Sequence, residues 1–125
     1  MGATDPIRRV APGDRLAGHA TPGMVREEAI AASGLWAGFV STGPGQASAW
    51  HHHGEHQSTI YVVDGRVRME FGPGGSEAAE AGPGDFLYVP AGAVHREINP
   101  GDEESHVVVV RAGTGPVVIN VDGPA

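Results

Sequence analysis

The chain has no cysteine, and all eight of its basic residues are arginine, so lysine is absent too. Without cysteine there can be no disulfide, thiolate nucleophile or thiolate metal site, a composition that suits a reducing compartment. Without lysine there is neither a Schiff base nor a lysine general base. Positive charge is scarce as well. Fifteen acids against eight bases leave a net charge of −7, which disfavours nucleic acid or an anionic membrane as a partner. No long apolar run occurs, and the first residues, MGATDPIRRVAPGD, hold no apolar export segment, so a soluble, cytoplasmic protein is expected. Leucine is rare: three residues, against fifteen Val and five Ile. β-Branched side chains are stiff at χ1 and fit a pleated sheet, so the fold class expected is all-β.

What the chain has in abundance is punctuation, with 20 Gly and 10 Pro among 125 residues. Short apolar runs between these breakers predict strands near 24–30, 35–42, 47–53, 58–64, 66–71, 77–81, 86–89, 94–98, 105–111 and 116–121. So many short strands in one small domain imply a sandwich, barrel or jelly roll. Residues 1–23 read as a turn-rich arm with a disordered tip, and 24–125 as a single domain. Asp64-Gly65 reads as a two-residue hairpin turn. The run Val107–Val110 reads as a strand buried on both faces, inside the sandwich or at a dimer contact.

Histidine remains to carry the chemistry. Seven are present, four of them within WHHHGEHQS, at 51, 52, 53 and 56. On a strand His51 and His53 share a face, about 6.6 Å apart, and can converge on one ion, while His52 points away. A second segment, Gly84 to Asn99, reads as a strand, a Pro-x-Gly turn and a strand that begins with His95. His106, and His19 in the arm, read as structural or uninformative.

Together these segments resemble the paired signatures of the cupin superfamily. The second signature, G-x5-P-x-G-x2-H-x3-N, is matched by Gly84, Pro90, Gly92, His95 and Asn99. The first, G-x5-H-x-H-x(3,4)-E-x6-G, is matched over 45–65 by Gly45, His51, His53 and Gly65, but Ser58 stands where the pattern has Glu. The resemblance implies a jelly-roll barrel, or double-stranded β-helix, with one divalent metal on His51, His53 and His95. Gln57 is the first choice for a fourth ligand if its strand carries a one-residue bulge, with His56 or water as alternatives. A site without the carboxylate favours Zn, Ni, Cu or Fe over hard cations, and the ion expected is one of Fe, Ni, Cu, Zn or Mn. The resemblance further implies a homodimer that binds a small-molecule ligand. The function expected is a metal-dependent dioxygenase, or else an isomerase or decarboxylase; the alternatives are a non-catalytic binding or accessory protein and a metal-free structural cupin. Ile60, Val62 and Phe71 are expected to line the pocket, with Tyr61 packed between the sheets. Any of Arg68, Arg96 and Arg111 that points inward could hold a carboxylate bidentately.

Overall fold

The computed structural model of the protein describes residues 6–18 and 21–124; His19 and the extreme N-terminal tip lie outside the described residues. Among the described residues eleven strands alternate with tight turns: β1 (Leu16–Ala17), β2 (Met24–Ala32), β3 (Leu35–Thr42), β4 (His51–His52), β5 (Gln57–Asp64), β6 (Val67–Phe71), β7 (Glu77–Ala81), β8 (Phe86–Val89), β9 (His95–Ile98), β10 (Ser105–Ala112) and β11 (Ile119–Asn120). They form two antiparallel sheets, ordered β1-β2-β3-β10-β5-β8 and β11-β4-β9-β6-β7. The inner faces enclose a core of Met24, Val40, Ile60, Val62, Val67, Met69, Ala81, Val89, Val107 and Val109. This is the all-β class expected from the β-branched composition, in the double-stranded β-helix form that the cupin resemblance implies. Among the described residues no helix is long and apolar enough to cross a membrane.

Strand alternation decides what enters the interior. In β5, Ser58, Ile60 and Val62 are buried while Gln57, Thr59 and Tyr61 face out. In β10, Ser105, Val107, Val109 and Arg111 are buried, while His106, Val108 and Val110 are half-buried and Ala112 is exposed. The valine run is therefore buried on one face, not two. β10 lies between β3 and β5 in a sheet whose outer face is open. Tyr61 likewise sits on that outer face, 38% exposed, with its ring 4.9 Å from Phe86. It is not packed between the sheets, because its parity is opposite to that of Ile60 and Val62.

Three predicted elements change. The 47–53 and 116–121 segments contribute only the two-residue strands β4 and β11. Asp64-Gly65 is not a hairpin turn, since β5 and β6 belong to different sheets. It is a corner where the chain leaves one sheet for the other. Gly65 has φ +79°, and a Cβ there would lie 2.7 Å from the Ser105 Cα, so no side chain fits.

Asn99, the last residue of the second signature, ties the barrel together. It is 1% exposed. Its Nδ2 donates to the carbonyls of Thr42 (2.9 Å) and Glu103 (2.7 Å), and its Oδ1 accepts from the Gly101 N–H at 2.9 Å. Asn99→Ala leaves a buried carbonyl without its donor, and should lower unfolding free energy by about 2–3 kcal/mol in urea titration. A loss below about 0.5 kcal/mol would show that Asn99 does not hold these loops.

Candidate metal centre

The second sheet brings the two signatures together. His51 on β4 and His95 on β9 are direct cross-strand partners. His53 follows two residues later on the same side, where β4 has already ended. The rings form a closed triangle, with centroids separated by 4.4 Å (51–95), 4.9 Å (51–53) and 5.1 Å (53–95). All three residues are buried, and their candidate ligand atoms lie within 4.8 Å of one another.

Each ring is oriented by a backbone carbonyl. The Nδ1 of His51 lies 2.7 Å from the Ala49 oxygen, that of His53 2.7 Å from the Val117 oxygen, and that of His95 2.9 Å from the Ala93 oxygen. A carbonyl can only accept, so Nδ1 carries the proton and the Nε2 lone pair is left free, as a metal ligand requires. Burial pushes the His51 imidazolium down to about 4 and that of His53 to about 3, and it lowers His95 as well. Three neutral imidazoles with free Nε2 atoms form a donor set suited to one borderline transition ion.

The other predicted ligands are not part of this group. β5 pairs regularly with β10 from Gln57 to Val62, without the bulge that would turn Gln57 inward. Gln57 is exposed, and its Oε1 accepts a hydrogen bond from the Tyr88 hydroxyl at 3.1 Å. His56 is buried, but its Nε2 is 3.1 Å from the Gly115 carbonyl. His52 faces away, its Nδ1 accepting from the Gly54 N–H. His106 lies on the other sheet, bonded to Asp64 and Glu104.

Position 58 places a hydroxyl beside the triad. The Ser58 Oγ is buried without a hydrogen-bond partner, as is Nε of Arg111. Both residues border a void of about 10 Å³ that is also lined by His51, His53, His95, Arg26 and Glu97. Of the three arginines weighed from sequence, only Arg111 points inward; Arg68 and Arg96 pair with Glu70. Arg26 and Glu97 escaped the sequence reading, although the two-residue period marks both. Arg26 follows the buried Met24 by two positions, and Glu97 follows His95 by two. Burial lowers Arg111 to about 10 and raises Glu97. Arg111 stays charged at neutral pH, so the interior leans positive inside an acidic protein. Phe71 and His95 border a separate apolar cleft of about 190 Å³, with Met69, Leu87 and Val89.

The depressed imidazoles set a pH dependence. Unfolded histidine titrates near 6.5. As pH falls below that value, the unfolded chain binds protons that folded His51 and His53 refuse, so stability declines until the folded values near 4 and 3 are reached. The slope is up to about 1.4 kcal/mol per pH unit for each histidine. Urea midpoints of metal-free protein should therefore drop from pH 7 to pH 5; a flat profile would contradict the buried neutral triad.

Comparison with known proteins identifies the fold and the family. The cupin domain model matches residues 38–111. A search of curated sequences returns no match. The polyketide cyclase RemF from Streptomyces resistomycificus superposes with a TM-score of 0.77 at 22% identity, over 93% of this chain and 86% of that one. A protein from Thermus thermophilus gives 0.65 at 27% identity, over 78% and 90%. An oxalate oxidase solved with the substrate analogue glycolate gives 0.67 at 22%, over 85% and 60%. The family match spans more than half of the chain and includes all three clustered histidines, and the chain belongs to the cupin domain family.

Proposed function

We propose that this chain is a metal-dependent cupin of the dioxygenase class that acts on a small organic substrate. One divalent transition ion (Fe, Ni, Cu, Zn or Mn) is held by His51, His53 and His95. The observation that carries the reading is the triad itself: buried, neutral, and aimed by three carbonyls so that each Nε2 is free. Three protein ligands with an adjacent void leave a coordination position open, which distinguishes a reactive site from a closed structural one. An ion held there would supply Lewis acidity, and a redox-active one (Fe, Ni, Cu or Mn, not Zn) would also relay electrons from the substrate to dioxygen. The chain's own residues orient the ligands and keep bulk water away from the triad.

Elemental analysis of protein purified without a His-tag should find about one transition ion per chain, and His51→Ala/His95→Ala should remove it. Metal that persists in the double variant would sink the assignment. Oxygen uptake should then be measured with diketones, phenols and thiols. Consumption lost in His51→Ala supports the dioxygenase. A metal-loaded protein that binds these compounds without consuming oxygen is instead a binding cupin.

The reading includes a cytoplasmic homodimer. The outer face of β5 and β8 exposes Tyr61, Val63, Phe86 and Tyr88, the last two at 72% and 63%, and a second copy laid on this face would cover them. Light scattering should give twice the 12.8 kDa chain mass. Phe86→Glu should give the monomer; a wild-type monomer overturns the dimer.

A further inference from the structure

Strand parity leaves one row of register partners on the outer face of the first sheet: Phe86 on β8, Tyr61 on β5, Val108 on β10 and Phe39 on β3. A second row, from Tyr88 to Ala37, runs beside it. The outer face of the second sheet is charged instead, with Glu70 paired to Arg68 and Arg96, and Glu80 to Arg66 and Arg68. An apolar face opposite a charged one marks the side that a partner covers. Its size is adequate. The strands from β2 to β8, at a spacing of about 4.8 Å, and a β10 about 27 Å long give about 500 Å² in projection. Two such faces bury about 1,000 Å² before the relief of the side chains is added, which is what a specific interface needs. A second copy offers a face of the same size and character, the isologous arrangement of most small oligomers.

A charged cluster borders this face. The half-buried His106 ring lies against Phe39, with centroids 5.7 Å apart and planes 25° from parallel. Its Nδ1 is bonded to the Asp64 Oδ1, and its Nε2 lies 2.8 Å from the Glu104 Oε1. Ionised carboxylates only accept, so both ring nitrogens carry protons and the ring is an imidazolium. The bond to Asp64, with that to Glu104, holds the His106 pKa above the ordinary value. The neighbouring elements add Ser41 on β3, Val25 and Glu27 on β2, and the acids Asp102 and Glu103 on the loop that carries Glu104. Glu27 is paired with Arg15 at 3.5 Å, and the Arg15 guanidinium carbon lies 4.4 Å from the centre of the Phe39 ring.

Loss of one proton from His106 turns a ring lone pair towards a carboxylate. In a single copy that carboxylate swings out into water. A second copy seated on the row hinders the escape, and its own net charge of −7 brings like charge closer. Association therefore favours the protonated ring and weakens as pH rises through the raised pKa.

We propose that the face carrying Phe86, Tyr61, Val108 and Phe39 binds a second copy of this chain, and that His106, clamped between Asp64 and Glu104, makes this association depend on pH. The inference rests on the proposed dimer and adds the group that regulates it.

Sedimentation equilibrium at pH 6.5 and pH 9 tests both parts. The wild-type dimer Kd should rise by about tenfold or more between the two. His106→Arg, positive at both values, should keep the tighter Kd at pH 9. His106→Gln, never charged, should give the weaker Kd at both. Phe86→Glu, shown by circular dichroism to be folded, should weaken the dimer at both. A wild-type Kd that is equal at the two values, or a wild-type response retained in His106→Gln or His106→Arg, overturns the pH control and leaves the dimer standing. Folded Phe86→Glu that dimerises as tightly as wild type overturns the face. A wild type that is monomeric at both values overturns the dimer itself, and this inference with it.

Discussion

Three ring-to-carbonyl hydrogen bonds, from His51 to Ala49, His53 to Val117 and His95 to Ala93, govern the interior of this barrel. A buried imidazole has two nitrogens to satisfy, and the backbone takes only one of them. Proton position, ring orientation and the direction of the free lone pair are all set by that single donation. Burial then makes protonation unfavourable, so the rings can lie within 5.1 Å of one another without repelling. Had any ring been left to rotate, the burial would still be there but not the convergence.

The same two-residue strand period that encloses a valine core also carries polar side chains inside. β5 brings Ser58 in with Ile60 and Val62, β10 brings Arg111 with Val107 and Val109, and β2 brings Arg26 with Met24. A uniformly apolar interior would be the simpler way to stabilise so small a barrel. Buried guanidinium groups are tolerated only where something offsets their desolvation. Here Glu97, the Trp36 ring and the Thr21 hydroxyl, 2.6 Å from Arg26, contribute to that offset.

Much of this was legible in the sequence because spacing is rigid on a strand and at a glycine turn. Gly45, Gly65, Gly84 and Gly92, fixed points of the two signatures, all have positive φ. Parity put His51 and His53 on one face and the turn set His95 at a strand start, but the cupin resemblance was needed to join the three. What the sequence did not reveal depends on which sheet a strand joins. Asp64-Gly65 has the local chemistry of a hairpin, but pairing of β5 with β10 and β8 sends the chain elsewhere. Gln57 required a bulge, and bulges arise from pairing partners that one strand alone does not specify. The run at 107–110 looked doubly buried because its outward residues are also valine, although only one face meets a facing sheet. Arg26 and Glu97 obeyed the parity rule and were missed because charged residues are expected outside.

The bond between His53 and the Val117 carbonyl spans 64 positions, and that between His56 and Gly115 spans 59. The other two rings of the triad are oriented by carbonyls only two residues away. The triad thus assembles in two stages of very different entropic cost. His51 and His95 can be aligned as soon as their own turns form, whereas His53 stays unset until the 115–118 segment has crossed back over the barrel. An ion held by all three rings would therefore report that this last crossing has been made, and would latch the end of the fold.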